Sequence, residues 1–213
     1  MIEFTAEKLS TIPQRERAHL INNLCGLRSA NLIGTQSGTN VNLAIFNSVL
    51  HLGSQPPLLG MVFRPLTVER HTYDYIKETK LFSVNQLPIS KTLEGHHTSA
   101  KFTAEQSEFD QCGFTPLYRE GLTIPFVKES HIQILCSYSK EHRLENDCIL
   151  LTGRIVQFWV SESILESDHW INHEKAESAA IGGLDAYYST SLIDRFSYAK
   201  PEQTPHSIAS GNA

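Results

Sequence analysis

Two long segments with a tight connection between them, "HIQILCSYSKEHRL" and "DCILLTGRIVQFWV", constrain this chain more than any other feature. Both are rich in β-branched and aromatic residues, which suit a pleated, half-buried surface. Asn146-Asp147 between them is turn chemistry, so the pair predicts one long β-hairpin. Upstream, the stretch from Ala30 reads as strand, a turn at Ser37-Gly38, and strand again. "LLGMVFR", bounded by Pro-Pro and by Pro65, is too short for a helix and reads as a buried strand. "LFSVNQL" is another. The sum is about six strands, mostly joined by short connections, and a domain built of strands must hide its edges. Closure into a small β-barrel with peripheral helices does so. A doubly wound α/β sheet is the alternative, but strand and helix do not alternate regularly and no glycine fingerprint follows the first strand.

Helical signals are fewer. Ala18, Ile21, Leu24, Cys25 and Leu27 recur at helical spacing after Pro13, which suits a first turn. Thr67 offers a side-chain cap to "VERHTYDYIKETK", with Val68, Tyr75 and Ile76 on one face. "ISKTLEGHHTSAKF" reads as a short helix and loop. The 213 residues are expected to form a single domain with a core over about 15–190 and a flexible tail over 201–213.

Several function classes fall away. No apolar run approaches the roughly 18 residues of a membrane helix. The amino terminus lacks the basic start and apolar run of a secretory signal. Cys25, Cys112, Cys136 and Cys148 are widely spaced without a CxxC pair, which points to reduced thiols in a cytoplasm rather than to disulfides or zinc. A net charge of -5 without basic runs gives no footprint for nucleic acid. An anionic ligand must therefore be captured by a local site.

The chain has no GxSxG, no SxxK and no nucleophile cysteine context; "GTQSGTN" lacks the elbow pattern. No catalytic side chain is assigned. Among ten histidines none falls in HExxH, and consecutive His96-His97 on an extended segment point to opposite sides, so no metal is expected. His169 and His173 are four apart with Glu174 beside them, which on a helix would share one face; a solvated polar segment is the alternative. In "HTSAKF", Thr98 and Ser99 supply hydroxyls, Ala100 lets the backbone approach and Lys101 supplies a charge, the groups that hold a phosphate monoester. A solvated loop would carry the same residues. Asn42, Asn47 and Ser48 are polar positions on an otherwise apolar strand, beside Phe46, Val49 and Leu50. That mixture suits a flat heteroaromatic ligand, whose rim needs donors and acceptors while its faces need apolar contact.

The order "LIGT…NLAIFNSVLHLGSQPPLLGMVFRP", "TYDYIKETKLFSVNQL", "HHTSAKF…SEFDQCGF" and "GGLDAYY" resembles the flavin reductase-like family of FMN-binding split barrels, flavoredoxin-like proteins included. The resemblance runs from about Asn31 to about Tyr188. It implies a six-stranded Greek-key split barrel, a homodimer, and FMN (or FAD) held noncovalently near the subunit interface. Asn47, Ser48, Val49 and the loop through His51 to Ser54 correspond to the part lining the ring and ribityl chain, and Ser99, Ala100 and Lys101 to the phosphate end. Arg64 is a further candidate for the phosphate or the dimer contact; Asn85 is structural by default. Tyr187 and Tyr188 read as core or interface packing.

The resemblance implies an NAD(P)H-dependent flavin or ferric reductase passing electrons to a small-molecule or protein acceptor. One departure bears on this: reductases of the family often carry a Gly-Asp-His step near the last strands, and here the region reads "ENDCILLTGRIVQFW". An FMN-binding electron carrier is therefore the alternative, with a split-barrel oxidase of a small organic substrate, such as a pyridoxal-type phosphate, as a third.

Overall fold

The computed structural model describes residues 1–209. Its elements, in chain order, begin with helices α1 (Ala6–Thr11) and α2 (Gln14–Leu24) and a short strand β1 (Leu27–Ser29). The hairpin β2 (Asn31–Ser37) and β3 (Asn40–Phe46) follows, then β4 (Val49–Ser54) and β5 (Pro57–Phe63), helix α3 (His71–Thr79) and β6 (Leu81–Gln86). Two short helices, α4 (Thr92–His97) and α5 (Glu108–Cys112), lead to strands β7 (Pro116–Leu117) and β8 (Phe126–Val127). The long hairpin β9 (Ile132–Arg143) and β10 (Ile149–Val160) comes next, and β11 (Ala180–Gly182) and β12 (Ala186–Tyr188) close the regular structure.

Seven strands form one antiparallel sheet in the order β3-β2-β6-β9-β10-β5-β4. Its two edge strands are consecutive in sequence, separated only by Asn47 and Ser48. A sheet whose opposite edges are tied by two residues must curl until those edges meet, so it is a barrel pinned at one corner and split along the rest. Two register shifts in the β9–β10 pair, one leaving Ser139 of β9 unpaired opposite Thr152–Gly153 and one leaving Val156 of β10 unpaired between Ile155 and Gln157, add the twist this curl needs. Ile33, Met61, Phe63, Phe82, Val84, Cys136 and Leu151 fill the interior, with Phe46 and Val49 from the two edges packed against them. Phe46 meets Phe63 edge-on at 5.1 Å. A second cluster, with Leu32, Leu43, Phe109 and Ile181, joins the outer face of the β2–β3 hairpin to α5 and to a three-stranded sheet β1-β11-β12.

The long hairpin, the β2–β3 hairpin and the strands at β5 and β6 lie where the sequence places them. Three details differ. The barrel has seven strands rather than six, because "VLHLGS" forms β4 instead of a loop; its glycine and the Gln-Pro-Pro step at the turn mask the pattern. Helix α3 starts at His71, with Arg70 at the N-cap and no side-chain cap, so Thr67 does not cap it and Val68 lies exposed outside the helix. Helix α2 forms as expected but buries none of its residues. Near the carboxyl end Phe196 bridges Ser207 and Lys200 bridges Gln203, an exposed hairpin over part of the expected tail; residues 210–213 of that tail lie outside the described residues. No helix among the described residues is long and apolar enough to cross a membrane.

Candidate functional site

A cavity of about 810 Å³ opens along β3 on the split side of the barrel. From Asn42 to Asn47 the strand gives it a floor roughly 17 Å long at the ordinary rise of a β-strand. The end of β5 (Val62 to Arg64), the loop into α3 (Val68 to Thr72), the segment after α4 (Thr98 to Phe102) and the β11–β12 turn (Leu184, Asp185) form its walls.

Asn42 is buried and its amide donates to Thr35 Oγ1 at 3.0 Å and Thr72 Oγ1 at 2.9 Å. It therefore fixes the first turn of α3 against the barrel. The Ser48 hydroxyl donates to the Val62 carbonyl at 3.0 Å and accepts from the Val62 amide at 3.3 Å, which locks the barrel corner. The Asn47 amide donates to the Gly183 carbonyl and holds the β11–β12 turn beside the cavity. The donors of these polar strand-end residues are thus used by the protein itself, while the Asn47 side-chain oxygen has no hydrogen-bond donor among the described residues.

Arg64, Arg70 and Lys101 line the cavity and make no ion pair among the described residues. Arg70 Nε is buried without a hydrogen-bond partner among the described residues. Beside it, the first amides of α3 have no side-chain cap, the arrangement that attracts an anion. Ser99 and Ala100 donate their amides to the His96 and His97 carbonyls at 3.0 Å each. The Ser99 hydroxyl and the Lys101 ammonium are what this segment has left to offer. Orphaned donors and unpaired cations at one place, and apolar Ala44, Phe46 and Phe102 nearby, fit a ligand with a planar body and an anionic end.

The negative groups are Glu69, Asp185 and the buried Glu108. Burial pushes the Glu108 carboxyl up, although the Leu43 amide donates to it at 2.9 Å. His96 Nδ1 lies 3.2 Å from the Tyr187 hydroxyl, with the rings edge-on at 5.8 Å. Burial, with Asp185 adding to it, pushes that hydroxyl up to about 12. His97 packs edge-on against Phe102 at 5.4 Å. The two histidines therefore finish α4 by packing on different neighbours. His169 sits in a turn with φ 65° and His173 lies exposed in a turn off any helix, although the atoms packed around its ring lower its pKa, so the shared helical face does not form. Asn85 is buried between Leu32, Ser83 and Val127 and is structural.

Of the residues expected at the site, the structure gathers Asn42, Phe46, Asn47, Ser48, Arg64, Ser99, Ala100 and Lys101 around one cavity. It does not bring Val49, Leu50, His51 or Ser54 there: Val49 packs into the barrel, while Leu50, His51 and Ser54 are exposed along β4. Arg70, His71, Thr72 and Glu108 line the cavity without having been anticipated. A basic pair at a helix start runs against the helix dipole, and "VERHTY" carried that signal. Glu108 gave none, since an acid after a serine reads as ordinary first-turn chemistry.

The family model described as "Flavin reductase like domain" matches residues 28–180. No curated protein matches the chain. Among solved structures, a protein assigned as a flavin reductase with a split barrel domain, from Shewanella frigidimarina, is 38% identical, with a TM-score of 0.89, over 93% of this chain and 100% of its own. Nitrilotriacetate monooxygenase component B from Bacillus cereus is 21% identical, with a TM-score of 0.80, over 92% and 98%. Flavoredoxin of Desulfovibrio vulgaris is 21% identical, with a TM-score of 0.68, over 82% and 91%.

Proposed function

The chain belongs to the flavin reductase-like family of split barrels, and on that premise we propose that it binds FMN in the cavity along β3 and works as an NAD(P)H-dependent flavin or ferric reductase. The observation that carries this reading is the meeting, in one cavity of about 810 Å³, of an apolar wall with cations that make no ion pair among the described residues. Arg70, Lys101, the Ser99 hydroxyl and the open start of α3 would hold the phosphate, with Arg64 a further cation for it. Phe46 and Ala44 would lie against the ring, and the Asn47 side-chain oxygen would accept from its rim. When bound, FMN supplies the electron-transfer chemistry. The chain's own part is to bind it, orient it and shield it from water, so no acid-base pair is required. Leu50, His51 and Ser54, outside the cavity, have no place in the site of a single chain. We read the whole chain as one such domain, acting as a homodimer in a cytoplasm on a small-molecule or protein acceptor.

A specific observation keeps a second reading in view. The β9–β10 turn carries Glu145-Asn146-Asp147 and no Gly-Asp-His step, which favours an electron carrier without nicotinamide activity. Purified protein should show the flavin spectrum, release FMN, and be bleached by NADH or NADPH without oxygen. A colourless protein that FMN cannot reconstitute would overturn the proposal; a yellow protein that neither nicotinamide bleaches would establish the carrier. Lys101→Ala should weaken FMN retention by about 1.5–3 kcal/mol, the worth of a hydrogen bond to a charged group, as read by equilibrium dialysis.

A further inference from the structure

We propose that Glu108 is a sugar-binding residue of this cavity, its carboxylate accepting a hydrogen bond from a hydroxyl of the ligand's polyol or ribose chain. The inference rests on the flavin reading above and deepens it. Glu108 opens α5 and is only 6% exposed, yet it lines the cavity. Phe109 and Cys112 behind it are buried, which fixes the direction of the side chain. One oxygen, Oε2, is held by the Leu43 amide at 2.9 Å. The residue's own backbone amide also hydrogen-bonds the carboxyl and His71 is near enough to act on its charge, but no lysine, arginine or histidine among the described residues lies within ion-pair distance.

A buried carboxylate held by only two backbone amides has acceptor sites to spare, and a further donor from the cavity side offsets the cost of its burial. A carboxylate accepts only, so it disfavours a phosphate and favours a neutral group bearing O–H. Arg70 and the start of α3 take the opposite preference. The cavity thereby distinguishes the anionic end of its ligand from the hydroxylated chain. The hydroxyl could belong to the ribityl chain of a flavin or to the ribose of a nicotinamide cofactor; the chemistry recognised is the same.

The test compares the full-length protein with Glu108→Gln, whose amide oxygen can still accept from the Leu43 amide. Dissociation constants for FMN, riboflavin and lumiflavin, which lacks the sugar chain, are read from quenching of flavin fluorescence, and those for NADH by calorimetry. Glu108→Gln should weaken riboflavin and FMN about tenfold and lumiflavin less than twofold, which assigns the ribityl chain. Unchanged flavins with NADH weakened about tenfold would instead assign the ribose. Equal weakening of lumiflavin and riboflavin, or no change in any ligand in both Glu108→Gln and Glu108→Met, would overturn the proposal. Glu108→Met, equal in reach but with neither acceptor nor donor, gives the same contrast where the Gln amide, its oxygen on the Leu43 amide, instead donates to the ligand hydroxyl. A wild-type protein that binds no flavin would sink the functional reading instead.

Discussion

Asn42 shows how one side chain couples the barrel to the cavity. Its amide ties two buried threonine hydroxyls, one in β2 and one in the first turn of α3. Asn42→Ala removes both bonds and leaves Thr35 and Thr72 without that donor in a dry setting. The expected cost is about 1–3 kcal/mol, seen as a lower urea midpoint with an unchanged slope. On the opposite face of α3, Lys77 bonds Glu141 at 2.9 Å, and Tyr73 donates to the same carboxylate at 3.0 Å. Burial works against ionisation of Glu141, but the hydrogen bonds from Lys77 and Tyr73 together hold its carboxyl below the usual value of 4.5. A group whose folded pKa is depressed stabilises above its unfolded pKa, and that contribution is lost as pH falls through the folded one. Glu141→Gln should therefore lower stability by about 0.5–1 kcal/mol at pH 7 and by progressively less on acidification below pH 4.5; thermal melts at both ends of that range measure it. Polar residues at the end of β3 were legible in the sequence as out of place, but the reason is mixed. Ser48 is consumed by the barrel corner and Asn47 by the β11–β12 turn, because two edges joined by two residues need side chains to finish their hydrogen bonding.

Where strands pass close to other backbone, glycine decides whether the curl is feasible. A Cβ on Gly34 in β2 would collide with the Pro125 carbonyl and lie 2.5 Å from Ser83 Oγ. A backbone oxygen cannot step aside, so Gly34→Ala should cost about 3 kcal/mol, at the upper end of overpacking effects. A Cβ on Gly60 in β5 would instead meet Leu52 Cδ1 at 2.9 Å and Leu150 Cδ1 at 3.1 Å, the ends of flexible side chains. Leu52 is 43% exposed on the edge strand and can turn outward. Gly60→Ala should cost about 1 kcal/mol, and urea denaturation of the two variants side by side tests the contrast. The same elements explain which parts of the fold could be read in advance. The β9–β10 and β2–β3 hairpins announce themselves because period, turn residues and length agree. Strand β4 does not: its ladder is with β5 alone, it carries a register shift between His51 and Gly53, and it is mostly exposed. Pairing from outside the segment, rather than its own pattern, makes it a strand. Arg70 and Glu108 were hidden for the related reason that a cavity assembled from separated loops has no local signature.

Apolar surface at both ends of the chain remains uncovered by the protein itself. Leu24 on α2 is 68% exposed, and Ile193, Phe196 and Tyr198 are 98%, 64% and 87% exposed. On the outer face of β10, Val156 and Phe158 are exposed as well. Isolated exposed leucines are ordinary, whereas clustered ones mark contact surfaces. Self-association is the economical way to cover them, consistent with the proposed homodimer, and the mass expected in sedimentation equilibrium is twice 23.9 kDa. Phe158 is the discriminating position, because it points out of the barrel and contributes nothing to the interior cluster. Phe158→Asp should leave the melting of the barrel within about 0.5 kcal/mol of wild type if the side chain serves only the surface, while converting the dimer to the single-chain mass. A wild-type protein that sediments at 23.9 kDa at micromolar concentration would remove the dimer. A Phe158→Asp protein still at twice that mass would move the contact to the terminal segments, where Leu24→Asp is the corresponding test. Flavin retention by the single-chain form then decides whether the cavity along β3 is complete within one protomer, a question that the exposed position of Leu50 and His51 on β4 makes specific.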